Sequence, residues 1–113
     1  MADYFITPKY AEQVEMTTGI HRRTMAVTDE AMLCEFFLER NAIIAAHSHM
    51  NDQVGYVVYG RIEITINNET RECVTGDSYA IPGGIMHQAR VLEDTLVIDV
   101  FSPPRNDYRT EAR

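Results

Sequence analysis

The sequence has no apolar stretch that approaches the roughly 20 residues of a membrane span. Among its longest apolar runs is the short segment Ala42–Ala46. The N-terminus, Met1–Tyr4, also lacks a basic region followed by an apolar segment, which is the mark of a secretory signal. We therefore expect a cytoplasmic protein that does not enter membranes.

Basic residues are scarce. Lys and Arg together number 10 against 17 Asp and Glu, and the formal net charge is −7. Binding to nucleic acid requires clustered Lys and Arg, so this balance argues against a nucleic-acid partner. For the same reason, an anionic substrate would need a local positive group to overcome the field of the protein.

Cysteine is limited to Cys34 and Cys73, which form no CxxC pair. We interpret them as two free, mostly buried thiols of a cytosolic protein. The chain has 113 residues, of which 45% are hydrophobic. This is enough for one packed core, so we expect a single domain over residues 1–113.

Short alternating segments between turn signals indicate antiparallel β-structure. The clearest is Arg61–Asn67, whose isoleucines fall on one face and whose polar residues fall on the other. Asn67 and Asn68 then predict a tight hairpin, since Asn tolerates positive φ. Helix signals are few, with one short turn expected over Lys9–Val14. The pattern predicts an all-β sandwich or small barrel, with further strands at Ile20–Ala26, Met32–Glu39, Gln53–Tyr59, Arg71–Val74, Ser78–Ile81, His87–Val91 and Thr95–Phe101.

Two of these strands, 54–59 and 96–101, are apolar on both faces. The outer wall of a monomeric barrel should be polar, so the extra apolar face predicts a cover. The simplest cover is a second copy of the chain, which makes a homodimer. Two alternatives stay open: the N-terminal segment (1–18), with its Tyr and Phe side chains, folds over this face, or it pairs across the dimer.

A metal site is predicted from the pattern H-x-H-x3-Q-x6-G followed by G-x5-P-x-G-x2-H. It contains His47, His49, Gln53 and His87. Histidines two apart on a strand end face the same side, so two imidazoles reach one ion. Three imidazoles and an amide oxygen suit a single divalent metal, and Zn, Ni, Mn, Fe or Co would all be accepted. The remaining histidine, His21, is interpreted as a hydrogen-bonded structural residue.

The two segments resemble the two motifs of the cupin superfamily over about residues 42 to 91. The resemblance implies a single-domain double-stranded β-helix, or jelly-roll barrel. The chain departs from the usual cupin pattern twice: Gln53 stands where most cupins carry Glu, and Val91 stands where the second motif usually ends in Asn.

The exchange at Gln53 bears on chemistry. With Gln, every protein ligand is neutral, so the ion keeps its full double charge and is a stronger Lewis acid. An anionic substrate would then replace the missing carboxylate. The same change weakens metal retention and makes oxygen activation by iron less favoured. In an alternative interpretation, Gln53 only hydrogen-bonds a metal-bound water.

The C-terminal strand adds a second group of polar residues. Asp99 and Phe101 share one face of the strand, and a carboxylate on an apolar strand is rare unless it is paired or functional. Pro103 and Pro104 fix the exit toward Arg105, which is suited to bidentate binding of a carboxylate. Spacing alone leaves open a structural Asp99–Arg105 ion pair.

The segment D-V-F-S-P-P-R-N-D-Y (99–108) resembles the end of the pectin-degradation KdgF family. The segment Phe5–Tyr10 and the stretches 47–49, 53–57 and 76–79 are similar to that family too, so the likeness runs nearly end to end. It implies an enzyme of carbohydrate catabolism that converts cyclic 4,5-unsaturated monouronates to linear keto sugars. It also implies metal ligands at His47, His49, Gln53 and His87, and functional roles for Asp99, Phe101 and Arg105.

On this hypothesis, Arg105 pairs with the carboxylate of a small anionic sugar, Phe101 forms an apolar wall and Asp99 shuttles protons. Two other readings stay open. One is a different metal-dependent cupin enzyme, a dioxygenase or a sugar isomerase. The other is a non-catalytic sugar-binding cupin.

Overall fold

The computed structural model describes residues 4–109, which form eight β-strands and two short 3-10 helices. All strand pairs are antiparallel, which confirms the all-β fold. The helices are Pro8–Tyr10 and Asn106–Tyr108, and the strands are β1 (Gln13–Thr17), β2 (Ile20–Val27), β3 (Met32–Leu38), β4 (Ile43–His47), β5 (Asp52–Ile66), β6 (Glu69–Val74), β7 (Ser78–Ile81) and β8 (His87–Ser102).

Two long strands, β5 and β8, pair along most of their length and pass through both walls of a jelly-roll barrel. In one wall, β8 pairs β3, and β5 pairs β7. In the other wall, β8 pairs β4, and β5 pairs β6. The strands expected at Gln53–Tyr59 and Arg61–Asn67 are therefore the two halves of β5, and those expected near the C-terminus are the two halves of β8.

The corner between the halves of β5 lies at Gly60. Its φ is +104°, and the β5–β8 register shifts on either side of it, between Val57 and Ile62. A Cβ at Gly60 would lie 2.3 Å from Thr95 Oγ1 and 2.5 Å from the Asp94 carbonyl oxygen. Glycine is thus required both for the backbone conformation and for the close approach of β8.

The barrel interior follows from the alternation of the strands. Inward residues of β3, β5 and β8 are buried, while their neighbours face outward. Phe101 is 1% exposed, and its ring meets Phe36 and Tyr108 edge to face with centroids 6.4 and 5.5 Å away. Cys34 and Cys73 are both buried and form no disulfide, which confirms the prediction of two buried thiols.

The hairpin at Asn67 and Asn68 is confirmed, since both have positive φ (47° and 69°) between β5 and β6. The helix expected over Lys9–Val14 is wrong. The helical turn ends at Tyr10, and Val14 lies in β1, which pairs with β2. The strand β4 was expected only as a strand end at His47 and His49, and its range was not predicted, because its sequence, IIAAH, has no polar alternation.

The outer face of the β5–β8 wall remains partly exposed, with Val54 51% and Tyr56 50% exposed. Tyr4 and Phe5 are 83% and 92% exposed, so this part of the N-terminal segment does not cover that face within a single chain. Residues 1–3 lie outside the described part. Among residues 4–109 there is no helix with the length and apolar character needed to span a membrane.

Candidate metal centre and active site

Three of the predicted ligands converge at one end of the barrel. His47 ends β4 and lies opposite His87, the first residue of β8. The ring centroids of His47 and His87 are 4.2 Å apart, and that of His49 lies 4.9 Å from His87. One nitrogen from each ring lies within 4.8 Å of the others. Three neutral imidazoles at such distances can share one divalent ion.

His49 reaches this group in another way than expected. The strand ends at His47, so His49 belongs to the loop that follows, and the shared face of a strand does not explain its position. Instead, the His49 carbonyl oxygen accepts a hydrogen bond of 2.8 Å from the backbone nitrogen of Gly84. The loop before β5 and the loop before β8 are therefore held together at the site.

All three imidazoles are oriented by the backbone. Their Nδ1 atoms lie 2.8, 3.0 and 2.9 Å from the carbonyl oxygens of Ala45, Asn51 and Ile85 respectively. A carbonyl oxygen only accepts, so each Nδ1 carries the proton and each Nε2 presents a lone pair to the site. The Nε2 of His87 is buried and has no hydrogen-bond partner among residues 4–109, which fits a metal ligand.

The electrostatics of His49 and His87 favour the neutral form of the ring, which is the form that binds metals. Burial lowers the pKa of His49, and the nearby charge of Arg105 lowers it further. Burial likewise lowers the pKa of His87, with smaller contributions from the other two rings.

Gln53 supplies a fourth donor beside the imidazoles. Its Oε1 lies 3.1 Å from His49 Nε2, and its Nε2 donates a hydrogen bond of 3.1 Å to Asp99. When His49 carries its proton on Nδ1, two lone pairs face each other between Gln53 and His49. A cation between them would satisfy both, so the residues present fit a bound divalent metal.

Asp99 is buried beside this centre, with 4% of its surface exposed. Its two oxygens accept hydrogen bonds from Tyr79 Oη (2.6 Å) and from Gln53 Nε2 (3.1 Å). Burial raises the pKa of Asp99 to about 7, and the two hydrogen bonds oppose that rise. Asp99 makes no ion pair with Arg105, so the structural salt bridge left open by the sequence is not formed.

Arg105 pairs instead with Asp107, to which its Nε and Nη2 donate at 3.3 and 2.9 Å. Its guanidinium lies over the ring of Tyr108 at 4.1 Å and 5.7 Å from the ring centroid of Phe101. Nη1 has no hydrogen-bond partner in the described part of the chain. The side chain is therefore fixed and still has donors to offer.

An interior cavity of about 410 Å³ joins these groups. Most of its wall is apolar, formed by core residues such as Ile20, Leu38, Ile62 and Ile64. The polar and aromatic residues discussed above lie along the same cavity, namely His47, Gln53, Tyr79, His87, Asp99, Phe101 and Arg105. His21 lies elsewhere, and its Nε2 lies 2.7 Å from Glu39, so the predicted hydrogen bond is present.

Sequence reasoning missed Tyr79 and Gly55. Tyr79 contacts Asp99, and Gly55 lies opposite both of them on the central strand. The sequence contains only weak signals for these two residues. Tyr79 is a tyrosine in a short strand. Gly55 is a glycine in the middle of an apolar strand, and such a glycine often marks a close approach of neighbouring groups.

Comparisons with known proteins agree with this geometry. A family model described as a cupin domain matches residues 35–101, and the chain is a cupin. It is 34% identical to the pectin degradation protein KdgF of Dickeya dadantii over 110 residues, which cover 96% of this chain and 99% of that protein. Within the cupins, the chain belongs to the KdgF family.

Solved structures of related cupins also superpose on this chain. KdgF from Halomonas sp. superposes with a TM-score of 0.89 at 35% identity, over 96% of this chain and all of that chain (100%). An RmlC-like cupin from Shewanella frigidimarina superposes with a TM-score of 0.90 at 26% identity, over 96% of this chain and 97% of the other.

Proposed function

We propose that this chain is a metal-dependent enzyme that converts cyclic 4,5-unsaturated monouronates, released from pectin or alginate, into linear keto sugars. The observation that carries this proposal is the hydrogen bond between Asp99 and Gln53 inside one cavity. This hydrogen bond joins a buried carboxylate to Gln53, one of the four predicted metal ligands. Similarity over nearly the full chain to a pectin degradation protein supports the substrate class.

His47, His49, Gln53 and His87 would hold one divalent ion. This donor set accepts Zn, Ni, Mn, Fe or Co. When bound, the ion supplies Lewis-acid polarisation of a substrate oxygen, and the neutral donors leave it its full charge.

Arg105 would bind the uronate carboxylate. Its Nη1 donors are uncommitted among residues 4–109, while Asp107 and Tyr108 fix the guanidinium. A charge-assisted hydrogen bond from this group supplies the local positive charge that a protein of net charge −7 needs. Arg105 thus orients the sugar by its anionic end.

Phe101 would form an apolar wall of the sugar site. It lines the cavity, and its ring lies 5.9 Å from that of His49, so it separates the metal end from the core beneath. Its packing against Phe36 and Tyr108 leaves it little freedom to move. A rigid wall restricts the orientations of a bound sugar and limits the access of water.

Asp99 would move the proton. Its carboxylate takes the proton of the anomeric hydroxyl, whose oxygen becomes the aldehyde oxygen as the bond to the ring oxygen breaks. The electrons of that bond pass to the ring oxygen, which becomes an enolate oxygen. The same proton then passes to the alkene carbon, which gives the keto sugar, so the isomerisation balances with one shuttling group.

The test is to add the metal-loaded protein to an unsaturated monouronate and follow the loss of its conjugated absorbance. We expect a faster loss than in the spontaneous reaction, and a much lower kcat with little change in KM for Asp99→Asn. Glu12→Gln, which removes an exposed carboxylate remote from these residues, should behave as wild type. Absence of acceleration by the wild-type protein would refute the proposal, and wild-type turnover by Asp99→Asn would refute the proton role.

A second candidate is another metal-dependent cupin enzyme. The observation that favours it is the largely apolar wall of the cavity, which exceeds what a monouronate needs. An oxygenase of this kind would consume oxygen, whereas uronate isomerisation would not. Oxygen uptake with candidate substrates, together with absent uronate turnover, would select it.

We also propose that the chain forms a homodimer through the outer face of the β5–β8 wall. Val54 pairs with Val100 and Tyr56 with Ile98 across this face, which gives a continuous apolar patch in which Val54 and Tyr56 are half-exposed and Val100 and Ile98 are partly exposed. Such a patch favours association. Sedimentation should give twice the 12.9 kDa chain mass, and Tyr56→Glu should shift the species to the monomer. A wild-type monomer at all concentrations would refute the dimer.

A further inference from the structure

The carboxylate of Asp99 is held on two sides, and the second holder is Tyr79. Gln53 donates to Oδ2, while the Tyr79 hydroxyl donates to Oδ1 at 2.6 Å. The Tyr79 bond is the shorter of the two and lies on the side away from the metal-binding amide. Both contacts together fix the position of the carboxylate and the direction of its remaining lone pairs.

The strand register brings Tyr79 and Asp99 together. Tyr79 on β7 and Asp99 on β8 both lie opposite Gly55, on the two sides of β5. Their side chains therefore have to meet across the width of the middle strand. Residues on next-nearest strands are normally separated by the side chain of the strand between them.

Gly55 leaves that space open. A Cβ at this position would lie 2.1 Å from Asp99 Oδ1 and 2.3 Å from the Tyr79 hydroxyl oxygen. Unlike Gly60, Gly55 does not have a positive φ, so its backbone does not call for glycine. The close approach of Tyr79 and Asp99 is the reason that glycine is needed here.

The burial of Asp99 and the partial burial of Tyr79 make this contact specific. Asp99 is buried and Tyr79 lines the interior cavity. Burial beside the Asp99 carboxylate raises the pKa of Tyr79 well above its ordinary value, so the hydroxyl keeps its proton and acts as the donor. A neutral, fixed donor can orient the carboxylate without adding charge to the site.

We propose that Tyr79 is a positioning residue for Asp99, and that Gly55 provides the space through which it acts. This inference rests on the proposed function, since it is through Asp99 that Tyr79 affects turnover. Without the Tyr79 hydroxyl, Asp99 keeps only the Gln53 contact and can rotate away from the proton-transfer geometry. Catalysis depends on such alignment more steeply than binding does.

The kinetic test compares Tyr79→Phe with Tyr59→Phe, which removes a hydroxyl from the half-exposed outer face of β5. Tyr79→Phe should lower kcat on the order of tenfold, as expected for one lost hydrogen bond to a charged group. Its KM and its metal stoichiometry should remain within a factor of about two of the control. A kcat equal to that of Tyr59→Phe would overturn the positioning role.

A second measurement needs no turnover. In the metal-loaded protein, the side-chain carboxyl carbon of Asp99 should give a ¹³C NMR signal that moves in Tyr79→Phe and stays in place in Tyr59→Phe. An Asp99 signal unmoved by Tyr79→Phe would overturn the inference even if the enzyme is active. If the wild-type protein does not act on uronates, the proposed function fails, and this signal alone decides whether Tyr79 positions Asp99.

Discussion

Gln53 and Asp99 are joined by a hydrogen bond from the Gln53 amide nitrogen to the Asp99 carboxylate, 3.1 Å long. The nitrogen of the amide has to face the carboxylate, because only the nitrogen can donate. The amide oxygen is thereby turned toward His49, where a metal would lie. The amide of Gln53, the fourth of the predicted ligands, is thus oriented by the carboxylate of Asp99.

Because of this hydrogen bond, we expect Gln53→Glu to lower the stability of the protein. Gln53→Glu would place two carboxylates within hydrogen-bond distance in a buried site, where like charges repel strongly. We expect the metal-free variant to be less stable by about 1–3 kcal/mol in its free energy of unfolding, as measured by denaturant titration.

The matched control is a double-mutant cycle with Asp99→Asn. In that background the repulsion is absent, so Gln53→Glu should cost much less, and the two changes should be strongly non-additive. Additive effects would show that Gln53 and Asp99 are not energetically coupled.

If the predicted ligands bind a metal, His87→Ala and His21→Ala should differ in their metal content. His87→Ala removes a buried Nε2 that points into the centre, so we expect loss of stoichiometric metal by elemental analysis. His21→Ala removes a histidine paired with Glu39 outside the centre and should keep the metal. A wild-type level of metal in His87→Ala, or in the pair His47→Ala/His49→Ala, would contradict the ligand assignment.

Metal binding should also stabilise the fold. Free metal at a hundred times its Kd raises the free energy of unfolding by about 2.7 kcal/mol when only the folded state binds. We expect Tm to rise on addition of Zn²⁺ and to fall again with a chelator, both in the wild type and in His21→Ala. The same experiment on His87→Ala should show little change.

The sequence predicts much of this fold because its signals are local. The period of two over Arg61–Asn67 and the paired asparagines at 67 and 68 specify a strand and its hairpin without reference to distant residues. The spacing of the three histidines likewise predicts a metal site from the sequence alone. The long strands were divided because Gly60 interrupts the apolar pattern of β5 while the strand continues through the corner.

Two contacts near the cavity could not be predicted from the sequence. Arg105 pairs with Asp107 rather than Asp99, since the helical turn Asn106–Tyr108 brings Asp107 back toward it. Both Asp99 and Asp107 lie close enough to Arg105 in the sequence to pair with it, so spacing does not decide between them. The contact of Tyr79 with Asp99 requires the order β7–β5–β8 and its register, neither of which is written in any one segment.

We expect substitution of Gly60, at the corner between the two halves of β5, to reduce stability strongly. Gly60→Ala combines an unfavourable φ of +104° with a Cβ that would overlap Thr95 and the Asp94 backbone. We expect a loss on the order of 3 kcal/mol or more in the free energy of unfolding.

Gly76→Ala is the matched control. Its φ of +94° imposes a similar backbone strain, but a Cβ there would meet nothing within 4 Å. We expect a loss of about 1 kcal/mol for this variant. Equal losses in the two variants would mean that strain alone, and not the approach of β8, makes Gly60 necessary.

We expect substitutions of Arg105 to affect substrate binding more than turnover. Arg105→Ala removes the guanidinium proposed to bind the uronate carboxylate, so KM should rise roughly 10- to 100-fold, the equivalent of a lost charge-assisted hydrogen bond. Arg105→Lys should fall between this variant and the wild type, because lysine keeps the charge without the planar fork. Steady-state kinetics on the unsaturated monouronate measures both.

Arg71→Ala serves as the control, since Arg71 is exposed and paired with Glu69 on β6. It removes the same charge from the protein without touching the cavity, and its KM should match that of the wild type. A KM in Arg105→Ala equal to that in Arg71→Ala would remove Arg105 from substrate binding. Its position over Tyr108 would then have to be explained by packing of the C-terminal segment alone.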